Sequence, residues 1–308
     1  MPRQKPIVVV GSINMDLVSV TARIPAVGET VLGTEFQVHP GGKGANQAVA
    51  VARLGYPVRL IGRLGSDGFG GQLRGHLEAT GVDTKGVATT DGTSGVAIIV
   101  VSQQGDNSIV VTPGANAMVT PRDVDSNIEM IRQAGLVLTQ LEIPIETVEY
   151  LASVCVREGV PVILDPAPAM ELPPAIFKDL EWFTPNESEA SFYIGNQQNN
   201  APGLDPPGIS GVILAKGGRG VVLKMGARGV YLATPDGVGE SIPAIPVKAI
   251  DTTAAGDAFN GGFATGLMLG KTPLESARFA AVVAGISVTR HGAQPSMPTM
   301  AEVEGFRV

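Results

Sequence analysis

Residues 251–262 read D-T-T-A-A-G-D-A-F-N-G-G, a pattern that predicts a loop turning into a helix. Ahead of it, residues 242–250 form an extended run broken by Pro243 and Pro246. Behind it, residues 258–269 are small and apolar with helical spacing. Ala254, Ala255 and Gly256 fall where that helix starts. A helix start carries unpaired N–H groups and the positive end of the macrodipole, so it suits an anion. Small side chains let a phosphate come close to those N–H groups. Asp257 then sets a carboxylate beside the anion site. Two readings follow. It is an early-turn carboxylate favoured by the dipole, or a base that takes a proton from a hydroxyl while the anion hole holds the phosphoryl group in transfer.

Outward from this stretch the chain alternates strand and helix. Residues 7–11 are a short apolar run ending in glycine, as in a buried central strand. Helices are expected over 45–54, 69–80 (capped by Asp67), from Thr120-Pro121, over 145–158, near 173–179, and over 187–194, 209–216 and 273–290. Strands are expected over 58–63, 136–141, 160–165, 182–184, 221–224 and 229–234, and a loop over 196–207. The pattern predicts a three-layer α/β/α fold with a mostly parallel central sheet. Two segments, 17–39 and 94–112, carry extended runs joined by turns with no helix between them. They predict a small antiparallel β lid inserted into a single domain spanning 1–308, beside the strand ends where open α/β sheets bind ligands.

The chain has 308 residues, long enough for one large α/β domain. A hydrophobic fraction of 44% excludes a disordered chain. A net charge of −7 with no basic run argues against nucleic acid as a partner. No apolar run approaches the roughly 18 residues of a spanning helix, so no membrane partner is expected. The polar start, 1–6, precedes only four consecutive apolar residues, which suits a buried strand and not a signal sequence. Cys155 is the only cysteine and reads as a core residue, and the three histidines show no metal-ligand spacing. A cytoplasmic, reducing location is expected.

Other clusters carry chemistry beside a plainer reading. Gly41, Gly42, Lys43, Gly44 and Asn46 offer donors and open backbone at a helix start, or form a solvated glycine turn; the spacing is not that of a Walker loop. Asn14 and Asp16, directly after the first strand, are turn formers or a grip on sugar hydroxyls. Asn186 and Glu189 are a helix cap and its capping-box partner, or groups near nucleotide phosphates with Glu189 orienting a hydrated Mg²⁺. Gly226–Gly229 by itself is a hairpin turn.

In order, G-S-I-N-M-D (11–16), G-G-K-G-A-N-Q-A (41–48), P-N-E-S-E-A (185–190), G-A-R-G (226–229), D-T-T-A-A-G-D-A-F-N-G (251–261) and T-R-H-G-A-Q-P-S (289–296) resemble the ribokinase-like sugar kinase family. Each motif alone is weak; together, in register over residues 7–296, they are specific. The resemblance implies ATP-dependent phosphorylation of a sugar's primary hydroxyl, with ribose at O5 the expected acceptor; the alternatives are deoxyribose, fructose or adenosine as acceptor, and a non-catalytic sugar-binding protein on the same fold. It implies Asp257 as the base and Ala254, Ala255 and Gly256 as the anion hole. It gives Asn14, Asp16, Gly42, Lys43, Asn46, Glu142 and Asp257 to the sugar. Asn186, Lys224, Met225, Gly226, Ala227, Arg228, Gly229 and Gly256 go to ATP, and Glu189 to Mg²⁺ through water. A K⁺ site is implied at Asp251, Thr253, Ser287, Arg290, Gly292 and Ser296, and a homodimer through the β lid. Three departures stand out: Lys224 replaces a common threonine, Ala280 a polar residue that often meets the adenine, and 196–208 carries less helix than relatives.

Overall fold

The computed structural model describes residues 4–195, 205–237 and 239–306. Thirteen strands are described: β1 Ile7–Val10, β2 Asn14–Thr21, β3 Gly33–Gly41, β4 Val58–Gly65, β5 Asp83–Thr90, β6 Gly95–Ser102, β7 Asn107–Thr112, β8 Leu136–Gln140, β9 Val162–Asp165, β10 Trp182–Phe183, β11 Val221–Lys224, β12 Val230–Ala233 and β13 Gly239–Ile242. The α-helices are α1 Lys43–Arg53, α2 Gly68–Ala79, α3 Pro121–Ser126, α4 Ile128–Arg132, α5 Ile145–Glu158, α6 Glu187–Tyr193, α7 Pro206–Leu214, α8 Ala255–Met268, α9 Pro273–Ser287 and α10 Met300–Gly305.

Nine strands form the central sheet in the order β13-β12-β11-β10-β9-β8-β1-β4-β5. Pairs from β11 to β5 are parallel, and β12 and β13 add an antiparallel edge. Both faces are covered, so the strands are apolar on both sides. In β1 the side chains alternate: Ile7 and Val9 join the core beneath α1, α8 and α9, while Val8 and Val10 join the core beneath α5. The same alternation repeats in β8 and β9, giving the three layers that the pattern predicts.

The second sheet has the order β3-β2-β6-β7. Both inserted segments build it, and each is an antiparallel pair as expected. Their junction is a parallel β2–β6 ladder, which sequence spacing did not foretell. The sheet hangs on the site side of the molecule: β2 follows β1 after three residues, and β3 runs into α1 through Gly42, whose φ of 86° is readily met by glycine.

Several expectations shift. Asn14 and Asp16 lie on β2 itself, two residues apart on one face, and are not turn residues. β5 and β13 were not anticipated, because these edge strands, D-T-K-G-V-A-T-T and G-E-S-I, are mostly polar or small and lack a continuous apolar signal. The segment near 173–179 is 3-10 and not α. The helix expected over 209–216 begins earlier, at Pro206, because the Asp205 side chain accepts from the Gly208 N–H and proline suits the first turn. The loop expected over 196–207 is therefore shorter at its end, and 196–204 lie outside the described residues. The last long helix ends at Ser287. No described helix is long and apolar enough to cross a membrane.

Candidate active site

In the sheet order, β1 and β8 are neighbours whose chains continue in opposite directions, one toward β4 and one toward β9. Ligands of open α/β sheets bind in the crevice at such a switch point, at the carboxyl ends of the strands. Here those ends carry Ser12 after β1, Gln140 and Glu142 at and after β8, Asp165 closing β9, and Lys224 closing β11.

Asp257 is buried in the first turn of α8. Its Oδ2 accepts from Asn46 Nδ2 at 2.9 Å and its Oδ1 from Gln47 Nε2 at 3.1 Å. The sequence placed these residues 211 and 210 positions apart. Burial, opposed by Lys43 and by the two amides and reinforced by Asp165, pushes the Asp257 carboxyl up to about 6. A base with that pKa is ionised at neutral pH and retains proton affinity.

The helix start itself fits an anion. Ala254 adopts the left-handed conformation at φ 56°, and no side chain caps α8. Capping would have filled the space in front of the first N–H groups. Ala255 and Gly256 add no bulk there; a Cβ built on Gly256 would meet only Lys224 Nζ, at 3.4 Å. Lys224 Nζ is itself paired with Asp165 Oδ1 at 2.8 Å, with Asp165 buried and Lys224 partly so. Its departure from threonine therefore brings an ammonium group beside the uncapped start of α8.

The residues expected to hold the sugar gather nearby. Asn14 Oδ1 accepts from Asn116 Nδ2 at 2.7 Å, and Asn116 also holds the Ile13 backbone. Asp16 lies across Gly41, where any Cβ would stand 2.1 Å from its Oδ2. Burial, then Glu142 and Asp257, raise the Asp16 carboxyl to about 7. Glu142 Oε2 accepts from Ser12 Oγ at 2.5 Å and from the Lys43 N–H at 3.2 Å. Gly42 is the residue before α1 and Lys43 its first. For the Lys43 ammonium, burial is the largest single influence and acts downward, but Asp257, Glu142, Asp165 and Glu189 outweigh it and hold the charge. Asp16, Glu142 and Asp257 beside Lys43 make a polar cup able to accept hydrogen bonds from several hydroxyls.

The motifs expected along the nucleotide meet as well. Lys224 N–H donates to Pro185 O at 2.8 Å, and Asn186 bridges to Lys224. Gly226–Arg228 form a short 3-10 turn after Met225, with Ala227 exposed on it, and Gly229 then leads into β12. Arg228 pairs with Glu187, tying that turn to α6. Asn186 caps α6, and Glu189 completes the box by accepting from Asn186 N–H at 2.7 Å and Nδ2 at 2.8 Å. The plain capping reading is thus realised. Burial raises the Glu189 carboxyl against the pull of Lys224. Ala280 is buried on α9 against Gly262 of α8, inside the helix contact.

Of the residues expected around K⁺, Asp251 bonds the Thr253 N–H at 2.9 Å and the Gly292 N–H at 2.8 Å, drawing two loops together. Among the described residues, the carbonyls of Asp251, Thr253, Arg290 and Gly292 accept no hydrogen bond. Ser287 differs: its carbonyl accepts from Arg290 N–H and its hydroxyl donates to Ala284 O. The Ser296 hydroxyl donates to Ala293 O, and the Arg290 side chain pairs with Glu302.

Sequence reasoning missed Ser12, Gln47, Asn116, Gln140, Asp165 and Gln294. Asp165 and Gln140 were findable as polar residues closing apolar strands; Gln47 and Gln294 sit inside motifs already quoted.

Residues 4–300 match the sequence profile of the pfkB family carbohydrate kinases. The chain belongs to the pfkB family. Among its relatives within this carbohydrate kinase family, a ribokinase of Bacillus subtilis is 43% identical over 299 residues, covering 97% of this chain and 98% of the relative. A deoxyribokinase of Salmonella typhimurium is 35% identical over 309 residues, at 97% and 98% coverage. The structure of Arabidopsis thaliana ribokinase complexed with ribose and ATP superposes with a TM-score of 0.90 at 34% identity, covering 98% of each chain. For the pfkB fold, the C-terminal strand ends and the start of α8 described above form the crevice on which the chemistry must be built.

Proposed function

We propose that this chain transfers the γ-phosphoryl group of ATP to O5 of ribose. The observation that carries the proposal is the meeting of a buried carboxylate, Asp257, with an uncapped helix start, at the edge of a cup of sugar-hydroxyl acceptors. Asn14, Asp16, Gly42, Lys43, Asn46 and Glu142 hold the sugar. Asp257 accepts the O5 proton as the O5–P bond forms and the bond from phosphorus to the ADP oxygen breaks; ADP leaves with that electron pair. Ala254, Ala255 and Gly256 present N–H groups to the moving phosphoryl oxygens. Lys224 adds a positive charge at the same mouth. Asn186 and the 224–229 segment lie along the nucleotide.

Two ions fit the residues present. Glu189 has both oxygens committed to Asn186, so it suits Mg²⁺ only through water, using its remaining lone pairs. Mg²⁺ would neutralise phosphate charge. The free carbonyls of Asp251, Thr253, Arg290 and Gly292 suit K⁺, with Ser296 beside them and Ser287 the least available. That ion would steady the loop that leads into α8.

We read the chain as one kinase domain with the lid segments inserted, working in the cytoplasm as a homodimer. Support for the dimer comes from the lid's edge strands: all of β7 is exposed, including Ile109, Val110 and Val111, with exposed Ile98 paired beside Val110, and Phe36 is exposed on the opposite edge strand, β3. Closure of a lid over the sugar excludes water and limits ATP hydrolysis.

The test is an ATP-consumption screen over ribose, deoxyribose, hexoses and nucleosides, in K⁺ and in Na⁺. Turnover is expected on ribose and faster in K⁺. Clear turnover on deoxyribose or a nucleoside with none on ribose would replace the acceptor; equal rates in both salts would remove the K⁺ site.

A further inference from the structure

Asp257 is held by side-chain amides whose orientation can be deduced rather than assumed. An ionised carboxylate only accepts hydrogen bonds, so an amide facing one must present its NH₂. Gln47 Nε2 has two protons and two carboxylate partners: Asp257 Oδ1 at 3.1 Å and Asp165 Oδ2 at 3.0 Å. Its oxygen is then turned away and needs a donor, and Gln140 Nε2 supplies one at 2.7 Å. Asn46 repeats the arrangement on the other oxygen. Its Nδ2 faces Asp257 Oδ2 at 2.9 Å, and its Oδ1 accepts from Gln294 Nε2 at 3.0 Å.

Both outer glutamines end these chains at a cost. Gln140 Oε1 and Gln294 Oε1 are buried with no partner among the described residues. Burying an unpaired carbonyl is unfavourable, and native interiors seldom keep one without a reason. The backbone even makes room for the first: a Cβ on Gly11 would stand 2.1 Å from Gln140 Oε1. Gln47, Gln140 and Gln294 come from α1, β8 and the 294–296 turn, so three separate elements converge on one carboxylate.

We propose that Gln140→Gln47 and Gln294→Asn46 are two amide relays that set the plane and the ionised state of Asp257, with Gln47, Gln140 and Gln294 acting as positioning residues. Aligned amides polarise one another, so the inner N–H donors bind the carboxylate more strongly than isolated ones. Gln47 further links the base to the phosphate side, because Asp165 is the partner of Lys224. This inference rests on Asp257 being the base.

The test uses the full chain with Gln140→Met, Gln294→Met, Gln47→Met and Asp257→Asn, assayed with saturating ATP and the sugar that the screen identifies. Gln140→Met and Gln294→Met should each lower kcat on the order of 10-fold while KM for both substrates stays within about twofold. The acid limb of the kcat profile should move upward by roughly half to one pH unit, because a stabiliser of the carboxylate is gone. The charges facing Asp257 that stay in place are Lys43 of α1, Asp165 of β9 and Asp16 of β2. Adding Gln140→Met to Gln47→Met should cost nothing further, since both cut one relay, whereas Gln140→Met with Gln294→Met should multiply. A kcat within twofold of the parent, a loss confined to KM, or an unmoved acid limb in folded variants overturns the relays. If Gln140→Met melts below the assay temperature, Gln294→Met, outside the sheet, decides alone by the same readouts. Asp257→Asn separates the two claims: if it keeps turnover, the base assignment fails; if it is inactive while the glutamine variants behave as the parent, only the relays fail.

Discussion

Helices α8 and α9 pack on each other, yet they begin in opposite ways. Each carries a carboxylate at its third position, Asp257 in α8 and Glu275 in α9. In α9 the Thr272 side chain accepts from the Glu275 N–H while Glu275 accepts from the Thr272 N–H at 2.8 Å. That reciprocal box satisfies the helix start with the chain's own atoms. The bonds from Thr272 hold the exposed Glu275 carboxyl below its ordinary value. In α8 the residue at the cap is Ala254, which has no group to give, and its backbone is left-handed. Asp257 is turned inward to two amides and is raised to about 6. One helix start is closed by its own side chains; the other is left uncapped, as the proposed phosphoryl site requires.

If that contrast is right, Asp257→Asn should lower kcat on the order of a thousandfold without loss of stability or of sugar binding. Retained turnover, measured by ADP release alongside calorimetric sugar binding, would erase the functional half of the contrast. Lys224→Met probes the open start from its other side. It should lower kcat on the order of 100-fold and cost about 3 kcal/mol, because the buried Asp165 loses its ion-pair partner; a stability loss with kcat unchanged would leave Lys224 purely structural.

The pH dependence sharpens the comparison further. Asp16 near 7 and Asp257 near 6 must both be ionised in the free enzyme, so kcat/KM for the sugar should begin to fall below about pH 7. Below about 6 the limb should steepen beyond tenfold per unit; a single-proton limb would mean that only one carboxylate controls the free enzyme. Stability should run the other way. With folded pKa values raised, the native state binds more protons than the unfolded chain between about 4 and 7. The stabilisation is therefore full below the unfolded value and lost as pH rises through the folded ones, a trend that urea titrations at several pH values would reveal.

Two smaller effects compare the caps directly. Thr272→Ala should cost about 1 kcal/mol with kcat unchanged. Ala254→Gly should gain about 0.5 kcal/mol, since glycine meets φ 56° without strain but leaves the unfolded chain freer. Opposite changes in melting temperature, the loss at Thr272→Ala about twice the gain at Ala254→Gly, would assign both effects to backbone capping and strain; a gain at Thr272→Ala would undo the contrast.

Much of this was legible in the chain. The helix from 273 and the small-residue helix start in D-T-T-A-A-G-D were read from the sequence, whereas the capping box in T-P-L-E at 272–275 emerged only in the structure. The apolar runs at 7–10 and 136–140 announce buried parallel strands, and the two helixless segments announce the lid. Asn14 and Asp16 were visible as polar residues but not as neighbours on one strand face, because the strand starts without an apolar signal. The parallel β2–β6 ladder joins segments about 80 residues apart, and local periodicity carries no information about such pairing.

By itself, then, the sequence determined most of the helices and buried strands, and its resemblance to the sugar kinases supplied the expectation of which residues carry phosphoryl transfer. The helices and strands follow from short-range rules of backbone satisfaction and side-chain period. Only the tertiary structure decided that Asp257 meets Asn46, Gln47 and, through them, Gln140 and Gln294, and that Lys224 finds Asp165. Those contacts, and the raised carboxyls they accompany, depend on sheet order and on exclusion of water, which no local spacing encodes.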